Sequence, residues 1–356
     1  MNTVTVKPAI SRLPEYHVPQ PSGIIKLNQN ESPWDIPSDI KADICRRLSL
    51  LPWNRYPSDG APALREKLSS YTGHPPEGIL TGNGSNELIQ TLITAFCRRQ
   101  DRVLTVSPGF SVYGRVAESQ NIRTEEVSLE ESFRFDLHRI SQASQQCRIA
   151  FLPSPNNPTG TWMTEEEIAG LAASSPTLFV IDEAYTEFSG STARVLLSRF
   201  QNLVVLRTFS KAAGLAGFRL GYLLGTPEMV RDMKKAQLPF SVGAAQQAAG
   251  EVLLEHTDVI QERANSVVRE RDRLQRELGQ FPGIRPIPSR ANFILFRTTR
   301  LPGKALFQRL FEKGVLVRQF ESPQLRNYLR VTVGQSSENT IFLERLASIL
   351  SEREER

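Results

Sequence analysis

Lys211 stands in TFSKAAGLAGFRLGY (208–222), a run of small residues that includes Arg219, in a chain with nine lysines against thirty-four arginines. No lysine lies between Lys67 and Lys211. A lysine in a partly desolvated pocket sheds its proton more readily and can serve as an amine nucleophile. Arg219 offers a planar fork for a phosphate, Ser210 a hydroxyl, and AAGLAG is small enough for the backbone to loop back closely. TGNGSNE (81–87) can supply the other half of an anion site. Its glycines at 82 and 84 allow a tight turn, and Ser85 and Asn86 open a helix whose free N–H groups can hold an anion. Without a third glycine it is a poor dinucleotide fingerprint. Read alone, it is better taken as a glycine-rich turn with a serine cap, whereas a surface lysine, the usual fate of this residue type, fits poorly with the small, apolar neighbours of Lys211.

IDEAY (181–185) adds a carboxylate, Asp182, directly after an apolar run, with the phenol of Tyr185 three residues on. A buried carboxylate is costly without a cationic or proton-sharing partner. Alone, Asp182 could also be a helix cap. An acidic strand end also occurs in nucleotide hydrolases, but the GxxxxGK[ST] phosphate loop they require is absent from the sequence. An amine, an anion site and a buried carboxylate jointly describe pyridoxal phosphate, with its aldehyde, its phosphate and its ring nitrogen.

These groups need elements to hold them. SNELIQTLITAFCR (85–98) places Leu88, Ile89, Leu92, Ile93 and Phe96 on one helical face. Short apolar runs follow in RVLTVS, RIAFLPS, TLFVIDE, LVVLRT and LGYLLG, mostly separated by helix-like or long connections. Such runs predict a largely parallel sheet wound with helices. Ligands of these sheets bind beyond the carboxyl ends of the strands, where PNNPTG, DEAY and TFSK stand. After about Ser241 a charged helix, roughly Ala244 to Leu278 with an interruption, leads to FPGIRPIPSRANFILF, GVLVRQF and YLRVTVG, the strands of a second unit. The fold class is α/β, a large domain with a mostly parallel sheet plus a smaller α+β domain. The expected division is residues 1–48 as an N-terminal arm and part of the small domain, 49–257 as the large cofactor-binding domain and 258–356 as the small C-terminal domain.

The net charge of +5 and pI near 9.2 come from scattered arginines, with doublets at Arg46-Arg47, Arg98-Arg99 and Lys234-Lys235 on amphipathic helices. They read as solvated faces, so no nucleic-acid partner is expected. Cys45, Cys97 and Cys147 are far apart and lack metal-like spacing, so no metal is expected. No apolar run approaches the length of about 20 residues that spans a bilayer. With no apolar signal core at the start of the sequence, a cytoplasmic protein with no membrane partner is expected.

LNQNES (27–32), RYP (55–57), PNNPTG (155–160), IDEAY (181–185), RTFSKAAGLAGFRLGY (207–222) and YLRVTVG (328–334) together resemble fold-type I aminotransferases. Their order and spacing are most similar to those of histidinol-phosphate aminotransferases, over nearly the whole chain. The resemblance implies that Lys211 condenses with the pyridoxal 5'-phosphate aldehyde and then shuttles the substrate proton. It implies that Asp182 keeps the ring nitrogen protonated, while Asn157 and Tyr185 hydrogen-bond the phenolic oxygen. Ser85, Asn86, Ser210 and Arg219 would hold the phosphate, and Phe110 would stack on the ring. Arg330 would clamp a substrate carboxylate and Arg318 a distal phosphate. Asn28 and Asn292 would line the pocket, and Tyr56 would reach over from the partner in a homodimer.

The implied reaction transfers an amino group between a small-molecule amino donor and a 2-oxo acid acceptor, namely between histidinol phosphate and 2-oxoglutarate, in both directions, in histidine biosynthesis. Within the same fold the alternatives are an aromatic amino acid aminotransferase and a threonine-phosphate decarboxylase, to which residues 237–255 have some likeness. A non-catalytic regulator is the distant one. Ala213 in place of an aromatic, ESPQLRN without a glycine, and NESPW in place of NENPY depart from the family pattern and bear on substrate choice.

Overall fold

The computed structural model describes residues 4–15 and 21–352, so parts of the predicted arm and the last four residues of the expected C-terminal domain lie outside the described residues. Each of the five apolar runs forms a strand: Arg102–Ser107, Ile149–Pro153, Leu178–Asp182, Leu203–Thr208 and Gly221–Leu224. Ile79–Gly82 and Arg123–Ser128 complete a seven-stranded sheet. From one edge it runs Ile79–Gly82, Gly221–Leu224, Leu203–Thr208, Leu178–Asp182, Ile149–Pro153, Arg102–Ser107, Arg123–Ser128.

The last five of these are mutually parallel, whereas Gly221–Leu224 is antiparallel to both its neighbours. The reason lies in residues 209–220, which hold only a short 3-10 turn, Ala216–Phe218. A parallel return is usually made through a crossover helix, and with none in this segment the chain turns back beside its own strand. Ile149–Pro153, Leu178–Asp182 and Leu203–Thr208 are buried throughout, and their alternate residues feed two hydrophobic cores on the two faces of the sheet. Val180, Val204 and Leu206 serve one core, Phe179, Ile181 and Val205 the other.

Helix Ser85–Phe96 buries Leu88, Ile89, Leu92 and Ile93 against the sheet. The expected interruption after Ala244 separates two helices, Ala244–Leu253 and Thr257–Gln280. Beyond it lies an antiparallel sheet ordered Arg318–Gln319, Tyr328–Thr332, Phe293–Thr298, Ile284–Pro286. Helices Thr257–Gln280, Gly303–Glu312 and Ser336–Ser351 cover it through Leu274, Leu278, Leu306, Leu310, Phe342 and Leu346. A strand of the arm, Ile25–Lys26, pairs in parallel with Val315–Leu316 and so delivers residues 27–32 to the space between the two sheets.

Candidate active site

A cavity of about 780 Å³ opens beyond the carboxyl ends of Ile149–Pro153, Leu178–Asp182 and Leu203–Thr208. Its lining includes Asn28, Ser85, Asn86, Phe110, Asn157, Asp182, Tyr185, Ser210, Lys211, Arg219, Arg318 and Arg330. The structure therefore brings together all the residues singled out in the sequence except Tyr56 and Asn292.

The loop from Thr208 to Leu220 holds Lys211 with its Nζ donating to the Gln29 carbonyl at 3.0 Å. Burial first, and then the charge of Arg330, push the ammonium down to about 7, with Glu31 and Asp182 opposing. An amine with that proton affinity is partly neutral at physiological pH and can attack a carbonyl. Asp182 ends its strand with Oδ2 accepting from the Tyr113 hydroxyl at 2.6 Å and Oδ1 accepting from the Ala184 N–H at 3.0 Å. Burial raises its carboxyl to about 6, and those two hydrogen bonds work against the rise.

Ser85 begins its helix after Gly84, whose φ of 75° lies in the left-handed region. A Cβ at Gly84 would come within 2.7 Å of Arg219 Nη2, so only glycine lets the guanidinium lie across the helix start. Arg219, itself left-handed at φ 52°, donates from Nη1 to Ser210 Oγ at 3.2 Å. Open helix N–H groups, a guanidinium and a hydroxyl converge there, and that donor set fits a phosphate. The lysine and carboxylate lie on the same cavity wall system, and Asn28 Oδ1 is buried with no hydrogen-bond partner among the described residues. The residues present fit pyridoxal phosphate.

Opposite this cup, Arg330 donates from Nη1 to Asn157 Oδ1 at 2.5 Å and from Nη2 to the Asn28 carbonyl at 2.6 Å, with its guanidinium 5.1 Å from the Phe293 ring centre. Arg318 is its cross-strand partner in the antiparallel ladder. Directly opposed residues share a face of the sheet, so two guanidinium-bearing side chains leave the small sheet side by side.

Three consecutive residues of the arm receive three groups of the site. The Asn28 carbonyl takes Arg330, the Gln29 carbonyl takes Lys211, and Asn30 Nδ2 donates to the Tyr185 oxygen at 3.0 Å. Asn30 adopts φ 55°, which asparagine tolerates better than most residues. Thr332 and Asn292 pin its backbone, Asn30 N donating to Thr332 Oγ1 and Asn292 Nδ2 donating to the Asn30 carbonyl at 3.1 Å. Asn292 is thus fully buried behind the cavity wall rather than in it, because the chain turns its amide onto Asn30. Tyr56 is 82% exposed and stacks on Phe240 at 4.7 Å, outside the cavity of its own chain.

Tyr113, Gln29 and Asn30 were not legible as site residues. Tyr113 follows Phe110 by one turn, and Asn30 lies inside the LNQNES motif, so position offered a signal for both. Among the described residues no cluster of His, Cys, Asp and Glu could hold a metal ion, and no helix is long and apolar enough to cross a membrane.

Residues 22–346 match the family model for aminotransferase class I and II. The chain is 40% identical to histidinol-phosphate aminotransferase 1 of Carboxydothermus hydrogenoformans, over 97% of this chain and 98% of that one. It is 36% identical to the histidinol-phosphate aminotransferase of Thermococcus gammatolerans, over 94% of each. The fold superposes on the histidinol-phosphate aminotransferase of Sinorhizobium meliloti, solved in complex with pyridoxal-5'-phosphate, with TM-score 0.86, 24% identity and 97% of both chains covered. It also superposes on the L-threonine-O-3-phosphate decarboxylase of Porphyromonas gingivalis, with TM-score 0.80, 22% identity, and 92% of this chain and 99% of that one covered. The chain belongs to the class I and II aminotransferases, and it is a pyridoxal phosphate-dependent enzyme of that family.

Proposed function

We propose that the enzyme transfers the amino group between histidinol phosphate and 2-oxoglutarate, in both directions. The observation that carries this reading is the cross-strand pair Arg318 and Arg330 facing one cavity with Lys211. Histidinol phosphate bears a phosphate and no α-carboxylate, and two adjacent guanidiniums suit a dianion. Glutamate, the other amino donor, offers its carboxylate to the same pair. Names carried by the relatives at 36–40% identity support the same substrate.

In this reading Ser85, Asn86, Ser210 and Arg219 bind the cofactor phosphate, and Phe110 covers the ring face. Pyridoxal phosphate, when bound, supplies an electron sink for the carbanion formed at the substrate's α-carbon. Asp182 holds a proton at the ring nitrogen. Tyr185 and Asn157 hydrogen-bond the phenolic oxygen, with Asn30 orienting the tyrosine and Arg330 the asparagine. Lys211 Nζ takes the proton from the α-carbon, a task for which an amine near neutral proton affinity is suited. Asn28 shapes the wall, and Asn292 acts from behind it through Asn30.

Tyr56 stacks on Phe240, and both are exposed, as are Trp53 and Leu238 close to them in sequence; we assign these residues to the contact with a second copy of the chain in a cytoplasmic homodimer. Tyr56 would then reach the partner's cavity.

The test is a comparison of three reactions in one preparation: glutamate formed from histidinol phosphate and 2-oxoglutarate, transamination of phenylalanine, and carbon dioxide released from threonine phosphate. The expected result is a kcat/KM for histidinol phosphate about 100-fold or more above the others, the size of a lost pair of charge-assisted contacts. Dominant carbon dioxide release, or equal turnover of phenylalanine, would remove the substrate assignment while leaving the family intact.

A further inference from the structure

We propose that Tyr113 is a positioning residue of this enzyme, holding Asp182 and Phe110 in the arrangement that the cofactor ring needs. The proposal rests on Asp182 meeting the ring nitrogen and Phe110 covering the ring.

Tyr113 lies in the first turn of the helix Val112–Ser119 and is only 1% exposed. Its ring stacks on Phe151 with centres 4.9 Å apart and planes 7° from parallel. Phe110 meets it edge-on at 5.3 Å and 83°. Phe151 pairs with Val180 in the parallel ladder, two residues before Asp182, so strand pleating puts the stacked rings and the carboxylate on one face. The phenol thereby reaches Asp182 Oδ2 at 2.6 Å, within the range of charge-assisted O–H···O⁻ bonds.

A core tyrosine could equally have turned its hydroxyl to a backbone carbonyl. Here its partner is a carboxylate whose hydrogen-bond donors, among the described residues, are Tyr113 and the Ala184 N–H. Burial and the adjacent charge of Asp182 hold the phenol well above its ordinary proton affinity, so it remains a donor across the working range. Removing the hydroxyl leaves the carboxylate buried with a single backbone donor, and its affinity for a proton rises. A neutral Asp182 no longer keeps a proton on a ring nitrogen. The same phenol orders Phe110, so one side chain aligns the edge contact and the face contact of the ring.

Tyr113→Phe removes one oxygen and keeps both ring contacts. In the reconstituted holoenzyme it is expected to lower kcat about 10- to 100-fold with KM changed less than about threefold. The acid limb of the kcat profile should move up by about one pH unit. Cofactor affinity, read from the visible absorbance without any amino acid present, should weaken about tenfold. In a double-mutant cycle, Tyr113→Phe should add little to Asp182→Asn, because both act at one contact. Incorporation of 3,5-difluorotyrosine at position 113 makes a stronger donor and should move the acid limb down, which keeps the question answerable should the phenylalanine variant fold poorly.

An unmoved pH profile and unchanged cofactor affinity, with only the apoprotein's Tm lowered, would reduce Tyr113 to a core residue. Losses that multiply with those of Asp182→Asn would break the link between the two. Failure of Asp182→Asn alone to alter cofactor affinity or spectrum would instead overturn the placement of Asp182. A wrong amino acid substrate leaves the cofactor titration readable.

Discussion

Asp182 and Glu183 are consecutive carboxylates at the end of one strand, and they are built into opposite situations. Pleating sends Asp182 to the side of Val180 and Glu183 to the side of Ile181, which belong to different cores. Glu183 receives Arg207 Nε at 3.0 Å and Nη2 at 2.8 Å, Thr192 Oγ1 at 2.9 Å and the Ala193 N–H at 2.5 Å. Its charge is matched by a fixed cation and by four hydrogen bonds. Among the described residues, Asp182 accepts from one phenol and one backbone N–H. Full compensation makes a buried charge part of the scaffold, whereas partial compensation leaves it ready for a ligand. Lys211 follows the second pattern: among the described residues its ammonium donates to the Gln29 carbonyl and lies 5.9 Å from the Tyr185 ring centre, with no carboxylate hydrogen-bonded to it.

The contrast can be broken by substitution, and the largest effect belongs to Lys211. Lys211→Ala should cut turnover by at least about 10³-fold, since nucleophile and proton carrier go together. Its kcat and the visible band of the bound cofactor report this, and a variant with ordinary turnover would refute the assignment. Asp182→Asn should lower kcat by on the order of 10²-fold or more, while the apoprotein keeps its denaturation midpoint. Glu183→Gln should do the reverse. It strips Arg207 of its carboxylate in a buried setting, at about 3–5 kcal/mol of stability, readable by urea unfolding of the apoprotein. Lost activity at unchanged stability in Glu183→Gln would erase the distinction between the two carboxylates.

A smaller effect sharpens the comparison on the substrate side. Arg318→Ala should raise KM for histidinol phosphate about tenfold and for glutamate less, because a dianion engages both guanidiniums more fully than a carboxylate does. Equal changes for the two substrates would argue against a shared anion site. The gentlest probe is pH. Only the neutral amine of Lys211 condenses with an aldehyde, and its proton is held with an affinity of about 7. Capture of pyridoxal phosphate by the apoprotein should therefore accelerate about tenfold per pH unit below that value and level off above it. Continued acceleration toward pH 10 would mean an ordinary lysine.

Much of this was legible because each buried run stops abruptly at a polar residue. LFVI ends at Asp182 and LVVLR leads into TFSK, and in a parallel sheet those junctions share one edge. Arg123–Ser128 was not legible as a strand, since RTEEVS sits at the sheet edge with charged, exposed side chains. The antiparallel direction of Gly221–Leu224 goes with the lack of a crossover helix in residues 209–220, which an apolar run does not encode. Tyr113 reads as a core aromatic, and its hydroxyl partner lies 69 residues away. Asn30 meets Tyr185 across 155 residues, and Asn292 meets Asn30 across 262. Side-chain aim across such separations is set by packing between elements and has no local pattern. Tyr56 stands apart for another reason: its expected role needs a second chain.

The most direct test is a stoichiometric titration of the holoenzyme with histidinol phosphate, followed at the visible absorbance band without any oxo acid. The band should fall in proportion to added substrate, with an ultraviolet band rising, and 2-oxoglutarate should restore it. A band that persists with histidinol phosphate yet falls with phenylalanine would contradict the substrate reading. The absence of any visible band after addition of pyridoxal phosphate would contradict the role of Lys211.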